Sequence, residues 1–271
     1  MNHEAVLFEV KDGVATLTLN DAARMNPLSA PIRAGFMAAL EHVQAEPAIR
    51  VLVVRANGKG FCVGADLAEI IGKSEAPGGP AVPDQIADLM DNTGNPLVSR
   101  LRALRVPVVC VVDGAVAGGG VGLVLAADVV VATKASYFYL PFVPALGLVP
   151  DMGASWFMPR AMGKARAVGA TLLGRRVPAQ QAADWGLIWA CVEDGKVLAE
   201  EAATVAAQLA QLPALAVLEV RAMFDASETN SLTAQLADER ERQVRLASGP
   251  DFAEGLKAFK EKRRPDFSRR H

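Results

Sequence analysis

The chain begins with two short segments in which apolar and polar residues alternate. Val6 to Val10 and Val14 to Leu19 carry this pattern, and Lys11-Asp12-Gly13 between them has the composition of a turn, so the pattern predicts a β-hairpin. Apolar residues at helical spacing follow from Ser29 to Ala45, and the apolar run from Val51 to Arg55 predicts a buried strand. The resulting order is β-β-α.

The same order recurs further along the chain without any repeat of the sequence. A strand is predicted from Val106, then a glycine-led helix, then strands at Asp128 to Ala132 and Tyr137 to Tyr139, and a helix near Gly153. From about Ala199 the composition shifts to long Ala-, Leu-, Glu- and Arg-rich segments with helical spacing. We therefore predict a ββα core over residues 1–198 and a C-terminal helical region over residues 199–271.

One segment has no periodicity at all. Gly72 to Pro83, with the sequence GKSEAPGGPAVP, is rich in glycine and proline and predicts a mobile surface loop or lid.

Composition narrows the classes of protein to which the chain can belong. Its 271 residues carry a formal net charge of -2, which does not favour nucleic acid as a partner. The longest apolar stretch is interrupted by Asp113 and by glycines, and the N-terminal residues lack a cationic start before an apolar segment, so we expect a cytoplasmic protein without a membrane span. The three cysteines are far apart, which favours reduced core thiols over disulfides or a metal site.

The run from Val106 to Asp128 contains the strongest chemical signal. An apolar strand ends in Gly118, Gly119 and Gly120, and an apolar helix follows. Glycines at this place allow close helix-strand packing, and they also allow a ligand oxygen to approach bare backbone N–H groups. A second donor for such an oxyanion site is available in the segment GFCVGADL, Gly60 to Leu67, where Asp66 is also suited to cap a helix.

Several sequence motifs together resemble those of the crotonase superfamily, the enoyl-CoA hydratase/isomerase family. The matching pieces are Met25-Asn26-Pro27, GKGFCVGADL, VDGAVAGGG, AADVVVA, GLVPDMGASWFMPRAMG, LLGRRVPAQQAADWGLI and FKEKRRPDF. Within the family the chain is most similar to the ring-1,2-epoxyphenylacetyl-CoA isomerase group of phenylacetate catabolism, which includes related enoyl-CoA isomerases. The resemblance implies an α/β fold built as a spiral of ββα turns, a helical C-terminal region that trimerises, and acyl-CoA thioesters as ligands.

The resemblance also assigns roles to individual residues. The backbone N–H groups of Ala65 and Gly119 match the oxyanion hole, which holds the thioester oxygen as it becomes an enolate. Residues that match CoA contacts are Val63 and Ala65 near the adenine, Arg24 near the phosphates, and Phe259 and Lys262, which in this family often come from a neighbouring subunit. The physical basis is that cations bind phosphate and aromatic rings pack on the adenine region.

The chain departs from the family's hydratases at the two positions that carry their catalytic glutamates. Those positions are Gly122 and Val143 here, and neither side chain can transfer a proton. The isomerase branch instead matches at Asp151, which the resemblance makes the acid/base; apart from the resemblance, a Pro-Asp pair before a glycine-led helix is also typical of a helix cap. Apolar neighbours would make this carboxylate more basic if they enclose it: Leu148, Val149, Met152, Trp156 and Phe157.

The expected function is therefore acyl-CoA isomerisation without a metal or a redox cofactor, with CoA as the carrier of the substrate. The expected substrate is a 3-enoyl-CoA converted to a 2-enoyl-CoA, or a ring-epoxide phenylacetyl-CoA. Two alternatives stay open: another enzyme of the superfamily, such as a hydratase or hydrolase, and a non-catalytic acyl-CoA-binding protein. The resemblance implies a homotrimer or a dimer of trimers.

Overall fold

Two β-sheets divide the strands of the chain between them. The computed structural model describes residues 5–267. Within these residues the strands are β1 (Val6–Lys11), β2 (Val14–Leu19), β3 (Val51–Ala56), β4 (Gly60–Cys62), β5 (Val108–Val112), β6 (Ala115–Ala117), β7 (Val129–Thr133), β8 (Tyr137–Tyr139), β9 (Val177–Pro178) and β10 (Ala190–Val192). The larger sheet has the order β1-β2-β3-β5-β7-β10, and the smaller one has the order β4-β6-β8-β9.

The helices connect the strands and then continue beyond them. They are α1 (Ala30–Ala45), α2 (Leu67–Glu75), α3 (Val82–Leu89), α4 (Asn95–Arg102), α5 (Gly119–Leu125), α6 (Ala154–Met162), α7 (Lys164–Leu173), α8 (Ala179–Asp184), α9 (Gly195–Ala210), α10 (Ala214–Ser227), α11 (Leu232–Ala247) and α12 (Pro250–Glu261). Two π-helical segments, Met90–Gly94 and Phe142–Leu146, lie between α3 and α4 and after β8.

Successive turns of the chain each add one strand to each sheet. The pairs β3 and β4, β5 and β6, and β7 and β8 follow this rule, and each pair is followed by helices. Pairing is parallel through both sheets except at the β1–β2 hairpin and between β8 and β9. The predicted spiral of ββα turns is confirmed.

The central strands of the larger sheet are covered on both faces, whereas the edge strand β1 has no buried residue. On one face, large apolar side chains such as Phe36 and Ile32 of α1 join the main core. On the other face, Val205 and Ala206 of α9 pack on Val51, Val53 and Val109. Because both faces are covered there, β3, β5 and β7 read as nearly continuous apolar runs. Burying each large apolar side chain contributes roughly 1.5 to 3 kcal/mol.

Most of the elements expected from apolar patterning are present. The hairpin pairs Val6 with Leu19 and Lys11 with Val14, and the predicted helix at 29–45 begins at Ala30 with Ser29 preceding it. Asp66 caps α2 as expected, because its Oδ1 accepts a hydrogen bond from the Glu69 N–H at 3.2 Å.

The expectation of a surface loop or lid without regular structure from Gly72 to Pro83 was wrong for half of its length. Helix α2 continues to Glu75 and α3 begins at Val82, so only residues 76–81 lie outside helices. Pro83 is tolerated because it occupies the first turn of α3, where no helical N–H is needed. The buried Gln85 amide donates to the carbonyls of Ile70 and Pro80, a tertiary contact that the local composition could not reveal.

The C-terminal region is helical as predicted, although its first helix, α9, begins at Gly195 and crosses the predicted division after residue 198. Across α10, α11 and α12 the only buried residue is Ala258. Among residues 5–267 no single helix has the length and hydropathy needed to cross a membrane, although α9 and α10 meet that test together as a pair bent by 102°.

Candidate active site

The smaller sheet determines where the candidate site lies. Strands β4, β6 and β8 are parallel neighbours, so their carboxyl ends meet at one edge of the sheet. The chain leaves these strands through Val63–Asp66, through Gly118 and through the segment that starts at Phe142 and ends at Gly153. Three segments far apart in sequence therefore converge at this edge.

The first two segments touch through their backbones. A Cβ atom on Gly64 would lie 2.9 Å from the Gly119 nitrogen and 3.0 Å from the Ala117 carbonyl oxygen. Gly118 adopts φ +54° and ψ -134°, a combination that favours glycine. Within residues 5–267 no hydrogen bond takes up the N–H of Ala65, which follows Gly64, or the N–H of Gly119. The structure thus brings the two predicted donors together with both N–H groups available.

The third segment delivers Asp151 to the same place. Met152 and Gly153 have φ values of +49° and +81°, so the chain reverses sharply after Asp151. A Cβ atom on Gly119 would lie 3.2 Å from Asp151 Oδ1. A left-handed conformation in a residue other than glycine costs on the order of 1 to 3 kcal/mol, and such strain is concentrated at functional sites.

Asp151 is half-buried, and one oxygen of its carboxyl group is shielded from water. Its Oδ1 is buried and has no hydrogen-bond partner among the described residues. Burial raises the pKa of Asp151 above its ordinary value, and a hydrogen bond from its own backbone N–H opposes that increase. Helix α6 starts after Gly153 without a side-chain cap, so the alternative role of Asp151 as a helix cap is wrong.

The backbone beside Asp151 also explains the glycine at position 122. A Cβ atom on Gly122 would lie 2.2 Å from the Met152 carbonyl oxygen and 2.7 Å from its carbonyl carbon, which no side chain can tolerate. A glutamate therefore cannot enter here unless the segment around Met152 moves. Val143, at the other position of a hydratase glutamate, lies in the π-helical segment Phe142–Leu146.

The apolar residues expected around the carboxylate divide into two groups. Met152 is buried and Phe157 is half-buried, whereas Leu148, Val149 and Trp156 are 45%, 78% and 41% exposed and shield the carboxylate little. The exposure of these three residues does not support the enclosure that would make the carboxylate more basic.

Phe142 is an apolar neighbour of the site that was not identified from the sequence. The ring of Phe142 lies 3.9 Å from where a Cβ atom of Gly118 would be. Its position three residues after the end of β8 could have indicated this, because the segments that follow the carboxyl ends of these strands form the site. Cys62, at the end of β4, is buried, and burial raises its pKa to about 12, which makes it unsuited to act as a nucleophile.

Arg24 lies beside the Ala65 segment with its charge already paired. Its guanidinium forms ion pairs with Asp21 and, at 2.6 Å, with Asp66, the residue after Ala65. The side chain is 51% exposed and therefore accessible to a ligand. Hydrogen bonding to Asp21 and Asp66 raises the pKa of Arg24.

The remaining residues matched to CoA contacts lie in different places. Val63 is half-buried in the segment that contacts Gly118. Phe259 and Lys262 are instead at the end of α12, and Phe259 is 86% exposed. Within residues 5–267 no hydrogen bond or ion pair joins α12 to Ala65, Gly119 or Asp151.

Comparisons with known proteins show which family the chain is similar to. The model of the enoyl-CoA hydratase/isomerase family matches residues 9–270. The chain is 39% identical over 265 residues to the 1,2-epoxyphenylacetyl-CoA isomerase of Escherichia coli (strain K12), covering 98% of each chain. It is 37% identical over 270 residues to a Rhodobacter capsulatus protein named "Probable enoyl-CoA hydratase", covering 100% of each.

The fold has close counterparts among solved structures. The structure of an enoyl-CoA hydratase from Bacillus anthracis superposes with a TM-score of 0.88 at 27% identity, covering 97% of this chain and 99% of the other. Because relatives of similar identity carry the names of isomerases and of hydratases, the overall similarity does not distinguish between these two reactions.

Proposed function

The chain belongs to the enoyl-CoA hydratase/isomerase family, the crotonase superfamily, and from this premise we propose that it is an acyl-CoA isomerase. In this proposal the N–H groups of Ala65 and Gly119 bind the thioester oxygen, and Asp151 transfers the proton. The reaction is the conversion of a 3-enoyl-CoA to a 2-enoyl-CoA or the isomerisation of a ring-epoxide phenylacetyl-CoA.

The observation that carries the proposal is the isolation of the Asp151 carboxylate. Its Oδ1 is buried without a partner beside Gly119, while the backbone of Met152 closes position 122 to a second acidic side chain. Hydration in this family relies on two glutamates to position and activate water, whereas moving a double bond requires only one group that removes and returns a proton. In this proposal Asp151 is that one group.

The proposed steps for a 3-enoyl-CoA balance without any other reactant. The ionised Asp151 removes a proton from C2, and the electron pair moves through the thioester carbonyl to give a dienolate. The oxyanion accepts hydrogen bonds from the N–H groups of Ala65 and Gly119, each of which is worth roughly 100- to 1000-fold in rate. Asp151 then returns the proton to C4, which yields the 2-enoyl-CoA and regenerates the carboxylate.

The ring-epoxide substrate is suggested by the name of the Escherichia coli relative. In that case the enolate would be stabilised in the same hole, and the same carboxyl group would assist the opening of the epoxide. A function in phenylacetate catabolism belongs to this version of the proposal.

Proton NMR in deuterium oxide tests the reaction class directly. The purified protein is incubated separately with a short 3-enoyl-CoA, a short 2-enoyl-CoA and the epoxide thioester. Migration of the double bond, or loss of the epoxide signals without incorporation of water into the product, supports isomerisation. Addition of water to the 2-enoyl-CoA, with label from H₂¹⁸O in the product, indicates a hydratase, and tight binding without turnover or exchange indicates a non-catalytic acyl-CoA-binding protein.

We propose further that copies of this chain assemble through the C-terminal helices into a trimer or a dimer of trimers. Helices α10, α11 and α12 bury almost none of their side chains, and the exposed Phe224, Leu232 and Phe259 are 63%, 76% and 86% accessible. Apolar surface of this kind on a stable protein favours association. Light scattering of the purified protein measures the assembly, and a monomer would contradict this part of the proposal.

The same assembly would allow Phe259 and Lys262 of one subunit to contact CoA bound by another, with Arg24, Val63 and Ala65 from the subunit that holds the thioester. Mixing experiments test this arrangement. Asp151→Asn subunits and Phe259→Ala/Lys262→Ala subunits, each defective alone, should regain part of the activity when refolded together. No recovery would contradict contacts between subunits.

A further inference from the structure

Met152, the residue after the candidate acid/base Asp151, has an unusual backbone conformation. It is buried, it adopts φ +49°, and it lies between Asp151 and Gly153, which has φ +81°. A glycine would adopt this left-handed conformation without strain, whereas a methionine does not. The presence of a residue other than glycine at such a position therefore suggests that its side chain has a role.

The contacts of Met152 show what it does in the protomer. A Cβ atom on Gly119 would lie 2.8 Å from the Met152 Sδ, and a Cβ atom on Gly94 would lie 3.7 Å from its Cγ. Gly94 ends the π-helical segment Met90–Gly94, so the side chain fills the space between that segment and Gly119. The same space borders Asp151 Oδ1, which lies 3.2 Å from the Gly119 Cβ position.

We infer that Met152 is a positioning residue for Asp151. Its left-handed backbone turns the Asp151 carboxyl group towards Gly119, and its thioether keeps water away from Oδ1. The kinetic part of this inference rests on the proposed function, whereas the geometric part does not. The unpartnered state of Oδ1 and the increase in the pKa of Asp151 through burial are both consistent with a dry space on the side of Met152.

Three substitutions separate the backbone from the side chain. Met152→Gly keeps the left-handed backbone and removes the side chain, Met152→Leu keeps most of the volume, and Met152→Val disfavours the left-handed backbone because it is β-branched. Met158→Ala is the matched control, because Met158 is a buried methionine in the regular helix α6. It removes a similar volume from a position outside the segment from Asp151 to Gly153.

The first readout does not depend on activity. Carbon-13 NMR of protein labelled at the aspartate carboxyl groups, assigned by comparison with Asp151→Asn, follows the titration of Asp151. We expect the pKa of Asp151 to fall in Met152→Gly, because water reaches Oδ1, and to be retained in Met152→Leu and in Met158→Ala. Equal titration of Asp151 in the wild type and in Met152→Gly would overturn the inference.

The second readout is kinetic. For the isomerisation we expect kcat to fall about 10- to 100-fold in Met152→Gly and in Met152→Val with KM nearly unchanged, since a misplaced catalytic group loses rate and not binding. Met152→Leu should regain most of kcat, and the acidic limb of the pH profile of Met152→Gly should move to lower pH. A loss in KM alone, or equal kcat in Met152→Leu and Met152→Gly, would contradict a positioning role.

The two proposals fail in different ways. If the wild type does not isomerise any of the three substrates, the proposed function is wrong, and if Asp151→Asn retains full isomerisation, the role of Asp151 is wrong; in both cases the carboxyl titration still decides the role of Met152. If Asp151→Asn is inactive and Met152→Gly titrates and reacts like the wild type, only the inference about Met152 is wrong. Circular dichroism identifies any variant that does not fold, and Met152→Gly provides the decisive result if Met152→Val does not.

Discussion

The carbonyl oxygen of Met152 occupies the space into which a side chain at position 122 would project, 2.2 Å from the Cβ position of Gly122. The backbone that closes position 122 to a larger side chain directly follows Asp151, whose Oδ1 lies beside Gly119.

Introducing a glutamate at position 122 should therefore not produce a hydratase. We expect Gly122→Glu to lower the free energy of unfolding by about 3 kcal/mol or more, because the new atoms overlap backbone and not a flexible side chain. Urea denaturation measures the stability, and absorbance of a 2-enoyl-CoA measures hydration. Gly72→Ala in α2 is the control, since no atom lies within 4 Å of its Cβ position; a stable, hydrating Gly122→Glu enzyme would contradict the argument.

Replacing Asp151 should separate chemistry from binding. In Asp151→Asn we expect exchange of the substrate C2 and C4 protons with deuterium oxide to disappear, while affinity for the CoA thioester changes less than about threefold, because the amide keeps the size of the carboxyl group but cannot accept the proton. Proton NMR and calorimetry measure the two quantities. Retained exchange would remove Asp151 from the mechanism.

The pH dependence of stability should report the same carboxyl group. Burial raises the pKa of Asp151 in the folded state, so the folded protein binds this proton more tightly than the unfolded chain does. As the pH rises from the ordinary pKa of 3.8 through the raised folded pKa, the wild type should lose stability relative to Asp151→Asn and then reach a plateau. Urea unfolding of both proteins across this window measures the difference, and a gain in relative stability with rising pH would have the wrong sign.

A methyl group at Gly119 should disturb the site without unfolding the protein. Its Cβ would lie 2.8 Å from Met152 Sδ and 3.2 Å from Asp151 Oδ1, so both side chains must shift. We expect kcat of Gly119→Ala to fall about 100-fold, as for a displacement of about 1 Å at a reacting centre. Gly169→Ala in α7 is the matched control because its Cβ position is open, and equal rates in the two variants would contradict the placement.

Arg24 offers a test of CoA binding that separates a ligand contact from a structural one. If Arg24 binds the phosphates, Arg24→Ala should raise KM for an acyl-CoA about tenfold but leave KM for the matching acyl-pantetheine, which lacks the ADP portion, unchanged. If Arg24 acts only by holding Asp66 beside Ala65, both substrates should be affected equally. The ratio of the two KM values decides between these roles, and Arg100→Ala, which removes an exposed ion pair with Glu41, is the control.

The elements of the fold could be predicted largely from the chain because apolar periodicity reports burial locally. The hairpin, α1, β3 and the glycine-led helix α5 all appear where the pattern placed them. The prediction of a loop from Gly72 to Pro83 was partly wrong because glycine and proline content indicates only how freely the backbone can move. The hydrogen bonds from Gln85 to Ile70 and Pro80 are tertiary contacts, which local composition does not indicate.

By itself the sequence determined the recurring β-β-α order, the glycine run and the absence of glutamate from positions 122 and 143, because residue type and period are local properties. Only the tertiary structure decided that Gly64 meets Gly119, that the unpartnered Oδ1 of Asp151 lies beside Gly119, and that Met152 closes position 122. These relationships depend on parallel strands from distant parts of the chain ending at one edge of a sheet, and no local pattern records which ends will meet.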